Sequence, residues 1–393
     1  MLTKTLTLSD IPLSKTLSLT DLTLFGITSI LGSGGFNLIG NALTEGGYKS
    51  GITLGASGAL FLGSAYSYSY AREKYNSNTS ETKIIESTFG SIGKNISIFS
   101  ILFYNIFAIA TILVLCSKLL FPTSSNFQQI SFALMLLGLM TLSAFQKLEF
   151  NKEIINLFSW GIVILLSIIS FIGTKAFLSE EFGNITFPKF NMYESFLYFF
   201  FILAGHDALI KFTEESKNGS DIDKSMYYSI IISIILTAGV CLAALYFIDF
   251  KNDKIENILA IIFDRGILNN SGKYITMISL IFMVITTFLG YLATTRYLYK
   301  LPEDLKGLDF IKDNSNGNVS TISILLVTLF ATLAILINHT SKLVEYTDIA
   351  LITVLLLVST SVFVDKYKKE EVSIIDGISS TGFLSVLILI LFR

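Results

Sequence analysis

Phe25 to Asn41 reads FGITSILGSGGFNLIGN. The stretch is apolar enough to enter a membrane, yet it carries Gly26, Gly32, Gly34, Gly35 and Gly40, with Ser33 among them. Each interior glycine costs a helix roughly 1 kcal/mol relative to alanine. The small-residue run from Gly32 to Gly35 therefore marks a place where the helix opens. Inside a bilayer, opened backbone survives only where it is buried in protein or lines a cavity. Freed N–H groups at such a point hold an anion and freed C=O groups a cation. The competing reading is a small-residue face against a neighbouring helix.

The rest of the chain agrees with a membrane setting. Of 393 residues, 52% are hydrophobic and 15% charged, whereas a soluble domain carries about a quarter charged residues. Apolar runs near bilayer length recur throughout, so the expected class is an all-α polytopic membrane protein. A net charge of -2 and the lack of a basic patch give no sign of nucleic-acid binding. Cys116 and Cys241 both fall inside apolar runs, which gives neither a disulfide framework nor a CxxC metal pair. Two histidines argue against a histidine-rich metal centre, and no cofactor motif is present. The first twenty residues lack the apolar core of a cleaved signal peptide, so the first span is the expected targeting signal.

Apolar length and flanking charge give about 11 spans. They run approximately Leu22–Leu43, Ile52–Tyr70, Ile92–Leu120, Ile130–Phe145, Ile154–Phe177, Phe196–Phe212, Met226–Ile248, Tyr274–Leu298, Val319–Ile337, Leu343–Val364 and Gly377–Phe392. The lysine and arginine bias, counting Arg72, Lys211, Arg296 and Lys366 among the inside residues, favours a cytoplasmic N-terminus. The outside loop at 249–273 contains Ile255–Ile262 (IENILAII), which suits a short amphipathic helix, either over an entrance or as an ordinary loop helix. The sixth span is short, with Ala204-Gly205 at its middle, then His206 and Asp207. Intramembrane ionisable groups are costly and face a cavity or a partner; the bland alternative is that both sit at the end of a short helix. Glycine interruptions five helices apart point to two inverted halves with a binding site between discontinuous helices.

Several stretches are similar to the amino acid–polyamine–organocation (APC) superfamily. Ile30-Leu31-Gly32-Ser33-Gly34-Gly35-Phe36 resembles its IIGSGIF signature, Ala65-Tyr66-Ser67-Tyr68 the end of its second helix, and Glu86-Ser87-Thr88-Phe89-Gly90 the entry to its third. Phe200 to Asp207 resembles the sixth-helix FxFxGFE pattern, Glu214 to Asn218 with Ile222-Asp223-Lys224 the loop after it, and Thr295-Arg296-Tyr297-Leu298-Tyr299 the end of the eighth helix. The resemblance covers residues 22–364. Gly219 and Asp223 replace the usual prolines, Gly35 an aliphatic, His206 an apolar residue and Asp207 a glutamate. Eleven helices also stand against the family's twelve.

The resemblance implies a LeuT-type fold with a 5+5 inverted repeat: residues 1–21 as a cytoplasmic segment, repeats at about 22–177 and 196–364, and 365–393 as a linker and extra helix. It implies a permease in the cell membrane, a symporter or antiporter working by alternating access on an amino acid or related amine. The substrate carboxylate would meet N–H groups around Ser33, Gly34 and Gly35, as helix N-termini favour anions. The ammonium would meet carbonyls near Ile30, Phe201 and Ala204, next to Gly205, with Phe201 covering the substrate. Tyr104 and Asn105 would line the side-chain pocket, or simply bond between helices. The coupling ion, H+ or Na+, stays open. Thr286 and Thr287 suit a sodium site with first-helix carbonyls, or bond only their own backbone. His206 beside Asp207 suits proton coupling, since histidine titrates near neutrality and a neighbouring carboxylate favours its charged form. Substrate identity and oligomeric state are not legible.

Two other readings compete. One is a non-transporting nutrient sensor of the same fold. The other is an intramembrane serine protease, since Gly55-Ala56-Ser57-Gly58 looks like the rhomboid nucleophile motif and His206 is an available base. That chemistry requires hydrogen-bond contact between Ser57 and His206.

Overall fold

The computed structural model describes residues 13–32, 38–179, 191–250, 257–267, 271–312, 318–337 and 340–391. These form thirteen α-helices, numbered in chain order, with short 3₁₀ segments. The first span is two half-helices, α1 (Leu19–Leu31) and α2 (Leu38–Gly46). They are followed by α3 (Ser50–Tyr75), α4 (Ser80–Leu120), α5 (Asn126–Ala144) and α6 (Leu148–Leu178). The sixth span is α7 (Met192–Leu203) continued by a 3₁₀ segment, His206–Glu215. Then come α8 (Gly219–Phe247), α9 (Ile258–Gly266), α10 (Gly272–Lys300), α11 (Thr321–Ile337), α12 (Thr340–Lys368) and α13 (Ile374–Leu391).

Eight of these elements are long and apolar enough to cross a membrane. The eleven spans read from the sequence exceed that number for local reasons. The first span is split, α3 is diluted by Ser and Gly, and α11 has 17 residues. Faces of α5 and α6 expose Leu139, Leu142, Leu157, Ile164 and Phe171, as expected of a surface against lipid. The chain is an integral membrane protein.

Caps and glycines set the element ends. Ser18 and Asp21 form a capping box that starts α1, and Ser125 with Gln128 does the same for α5. Gly90 (φ 64°) bends α4, so the third span is preceded by a buried helical turn from Ser80 rather than by a loop. The α9 helix starts on Asn257 and packs on α8 and α10, which places a helix in the 249–273 loop.

Small residues allow close helix approach. A Cβ on Gly26 of α1 would lie 2.5 Å from Ser229 Oγ of α8, and one on Gly173 of α6 would overlap the α8 backbone. Ahead of α1, Thr16 and Leu17 N–H donate to Glu215 O at 3.0 Å each, and Lys217 N–H donates to Leu17 O at 2.9 Å. A parallel bridge between Leu17 and Ser216 thus ties the entry to the first span to the exit of the sixth.

The charged motif residues meet at this end of the bundle. Arg296 grips Glu215 through two bonds of 2.5 and 3.0 Å, and Lys300 reaches Glu214 at 2.7 Å. Arg72 pairs with Asp223, its Nε donating at 2.9 Å. A side chain on Gly219 would lie 2.9 Å from that guanidinium. Gly219 and Asp223 thus both face one arginine, Arg72.

Candidate functional site

The sixth span breaks where the chain runs out of helix-compatible geometry. Leu203 ends α7, Ala204 is extended, and Gly205 sits at φ 124°, a region that residues with a Cβ rarely adopt. A Cβ on Gly205 would also lie 2.7 Å from Ser29 O of α1. The ten residues that follow continue as 3₁₀ helix, an unusually long run of the kind that marks hinges.

A cavity of about 340 Å³ lies against both interrupted spans. Ser29 and Leu38 border it from the first span, and Phe201, Ala204, Gly205, Asp207 and Ala208 from the sixth. Tyr104 and Asn105 contribute from α4, Thr286 and Thr287 from α10, Thr347 and Asp348 from α12. Of the sequence-derived candidates, Tyr104, Asn105, Phe201, Ala204, Gly205, Asp207, Thr286 and Thr287 therefore border one space. Ile30 is buried and not part of the lining. Ser33, Gly34 and Gly35 lie outside the described residues.

The polar lining is largely engaged. Asn105 Nδ2 donates to Ile101 O at 2.8 Å. Thr287 Oγ1 donates to Met283 O within its own helix at 2.7 Å, whereas Thr286 Oγ1 donates across to Thr28 O of α1 at 3.0 Å. Among the described residues no group of three or more His, Cys, Asp or Glu is arranged to hold a metal ion.

His206 and Asp207 face different ways. Asp207 turns to the cavity, accepts from the Tyr104 hydroxyl, and takes a bond from Lys211 Nζ at 3.0 Å. His206 is fully buried against α3, in contact with Phe61 and Tyr68, and its Nε2 lies 2.9 Å from Ser64 Oγ. The protease pairing is not formed. Ser57 Oγ donates to Phe196 O at 3.2 Å and lies seven residues before Ser64, roughly 10 Å along α3.

Two groups escaped the sequence reading. Lys211, counted there as an inside surface charge, has no exposed side-chain area. It bonds Asp207, and its ammonium lies 3.4 Å from Glu81 Oε1, another fully buried group. The i,i+4 spacing of Asp207 and Lys211 was the available signal for that pair. For Glu81 there was none, because it precedes the apolar run of the third span.

No family model matches the chain, and no curated protein matches it. Among solved structures, Mhp1, a nucleobase-cation-symport-1 family transporter in a closed conformation with bromovinylhydantoin bound, is similar in fold: TM-score 0.60 at 12% identity, over 98% of this chain and 94% of that one. The protein therefore has the LeuT-type transporter fold, in which the first and sixth spans are the interrupted pair.

Proposed function

We propose that the protein is a secondary active transporter that moves an amino acid or related amine across a membrane by alternating access. The observation that carries this reading is the cavity touching both interrupted spans, whose volume falls within the range of small-molecule sites. In this reading the N–H groups at Ser33 to Gly35 receive the substrate carboxylate. The ammonium lies toward the carbonyls by Phe201 and Ala204, and Phe201 closes over the substrate. The N-terminus is cytoplasmic and the host is the cell membrane.

A planar ring bearing amide groups is a second substrate class. Asn105 spends its Nδ2 on Ile101 and borders the same cavity as Phe201, and the similar structure holds a hydantoin derivative.

Counterflow into proteoliposomes with radiolabelled pools of amino acids, amines and hydantoins, under imposed proton or sodium gradients, tests the proposal. The expected result is saturable uptake of one class that survives Ser57→Ala and is lost in a folded Gly34→Leu. Absence of uptake of every pool under every gradient would overturn it and favour the sensor.

A further inference from the structure

Behind the cavity wall lies a second charged assembly that substrate binding alone does not call for. Lys211 stands between two carboxylates, Asp207 on the cavity side and Glu81 on the far side. All three side chains are 0–5% exposed. An ammonium has three N–H bonds. Here Nζ has acceptors in Asp207 Oδ2 at 3.0 Å, Asp207 O at 3.2 Å and the Tyr104 hydroxyl at 3.2 Å. Glu81 is left with a 3.4 Å ionic contact, and among the described residues neither of its oxygens meets a donor at full hydrogen-bond geometry. The Tyr68 hydroxyl faces Glu81 from α3 and bonds no other group among the described residues. The other titratable groups facing the cluster are Tyr297 of α10, bonded to Thr82 at 2.6 Å, and His206, held by Ser64. Among the described residues, no second lysine or arginine pairs with either carboxylate.

We propose that Glu81 is a proton-binding site and that Lys211 links its protonation to the cavity. A buried carboxylate without donors or a counter-charge of its own is strongly unfavourable. One proton removes the surplus charge and lets Glu81 donate to the idle Tyr68 oxygen. With Glu81 protonated, Lys211 belongs wholly to Asp207. When the proton leaves, Lys211 is shared, and Asp207 presents uncompensated charge to the cavity. Proton release and the binding of a cationic group beside Asp207 therefore favour each other, and by linkage the effect is reciprocal.

The proton site is tested apart from transport, by infrared spectroscopy of the full chain in lipid across a pH series. The expected result is a protonated-carboxyl C=O band that titrates, is absent in Glu81→Gln and persists in Asp207→Asn. Should Glu81→Gln fail to fold, carboxyl-¹³C-glutamate labelling of the wild type substitutes for it, and the band must shift. No band, a band that survives Glu81→Gln, or a band unmoved by labelled glutamate overturns the assignment. The role in coupling rests on the transporter reading, and the two fail separately. A titrating band without uptake keeps the site and removes the transporter, while uptake without the band does the reverse.

Discussion

Two buried ionic assemblies stand less than one span apart along the His206–Glu215 segment, and they are built differently. At its far end Arg296 and Glu215 match one cation to one carboxylate through two bonds. Nearer the cavity, one lysine serves Glu81 and Asp207. A matched pair is a fastening, because the charges cancel and both carboxylate oxygens of Glu215 are taken. An unmatched set has a deficit that a proton or a ligand can fill. The contrast locates where the molecule holds itself together and where it is open to control.

The largest expected effect is Lys211→Met, which strands two buried carboxylates. By analogy with broken buried pairs it should cost about 3–5 kcal/mol, read as loss of monodisperse protein or a collapse in the detergent melting temperature. Next, two glutamate substitutions should act with opposite sign. Glu215→Gln leaves Arg296 without its charge partner and should lower the melting temperature by several degrees. Glu81→Gln removes surplus charge and should leave it unchanged or higher. If both variants lose stability alike, the distinction between the assemblies falls. Gly205→Ala combines a disfavoured φ with a clash on Ser29 O and should cost about 1–3 kcal/mol, measurable as faster hydrogen exchange in the 3₁₀ segment. Thr286→Val deletes the bond to Thr28 O, worth about 1 kcal/mol, and should loosen the contact between α1 and α10 in a crosslinking assay. The smallest effect is Lys74→Ala. Its pair with Asp365 is partly in solvent, so the change should stay below about 1 kcal/mol and weaken in high salt.

Much of this was legible in the sequence, for identifiable reasons. The break in the sixth span showed as Ala204-Gly205 because only glycine tolerates the backbone required there. Tyr104 and Asn105 stood out as a polar pair in an apolar run, and both border the cavity. Lys211 was misplaced because hydropathy and charge counting assign a lysine near a span end to the surface. Nothing in the one-dimensional pattern says that the backbone after Gly205 tightens into a 3₁₀ helix and carries that lysine inward. Glu81 was invisible for a related reason. Gly90 turns the helical residues before it back into the bundle, so a segment that reads as loop is core. His206 drew attention by its type, yet it packs among Phe61, Ser64 and Tyr68, away from the cavity.

Glu215 has one more consequence. Its carbonyl receives Thr16 and Leu17 from ahead of the first span, while its carboxylate holds Arg296 at the end of α10. Three strands of the chain, far apart in sequence, are knotted at a single residue. A bundle tied at one end resists separation there, so the backbone bonds at residues 16, 17 and 217 clasp the start of the first span to the end of the sixth.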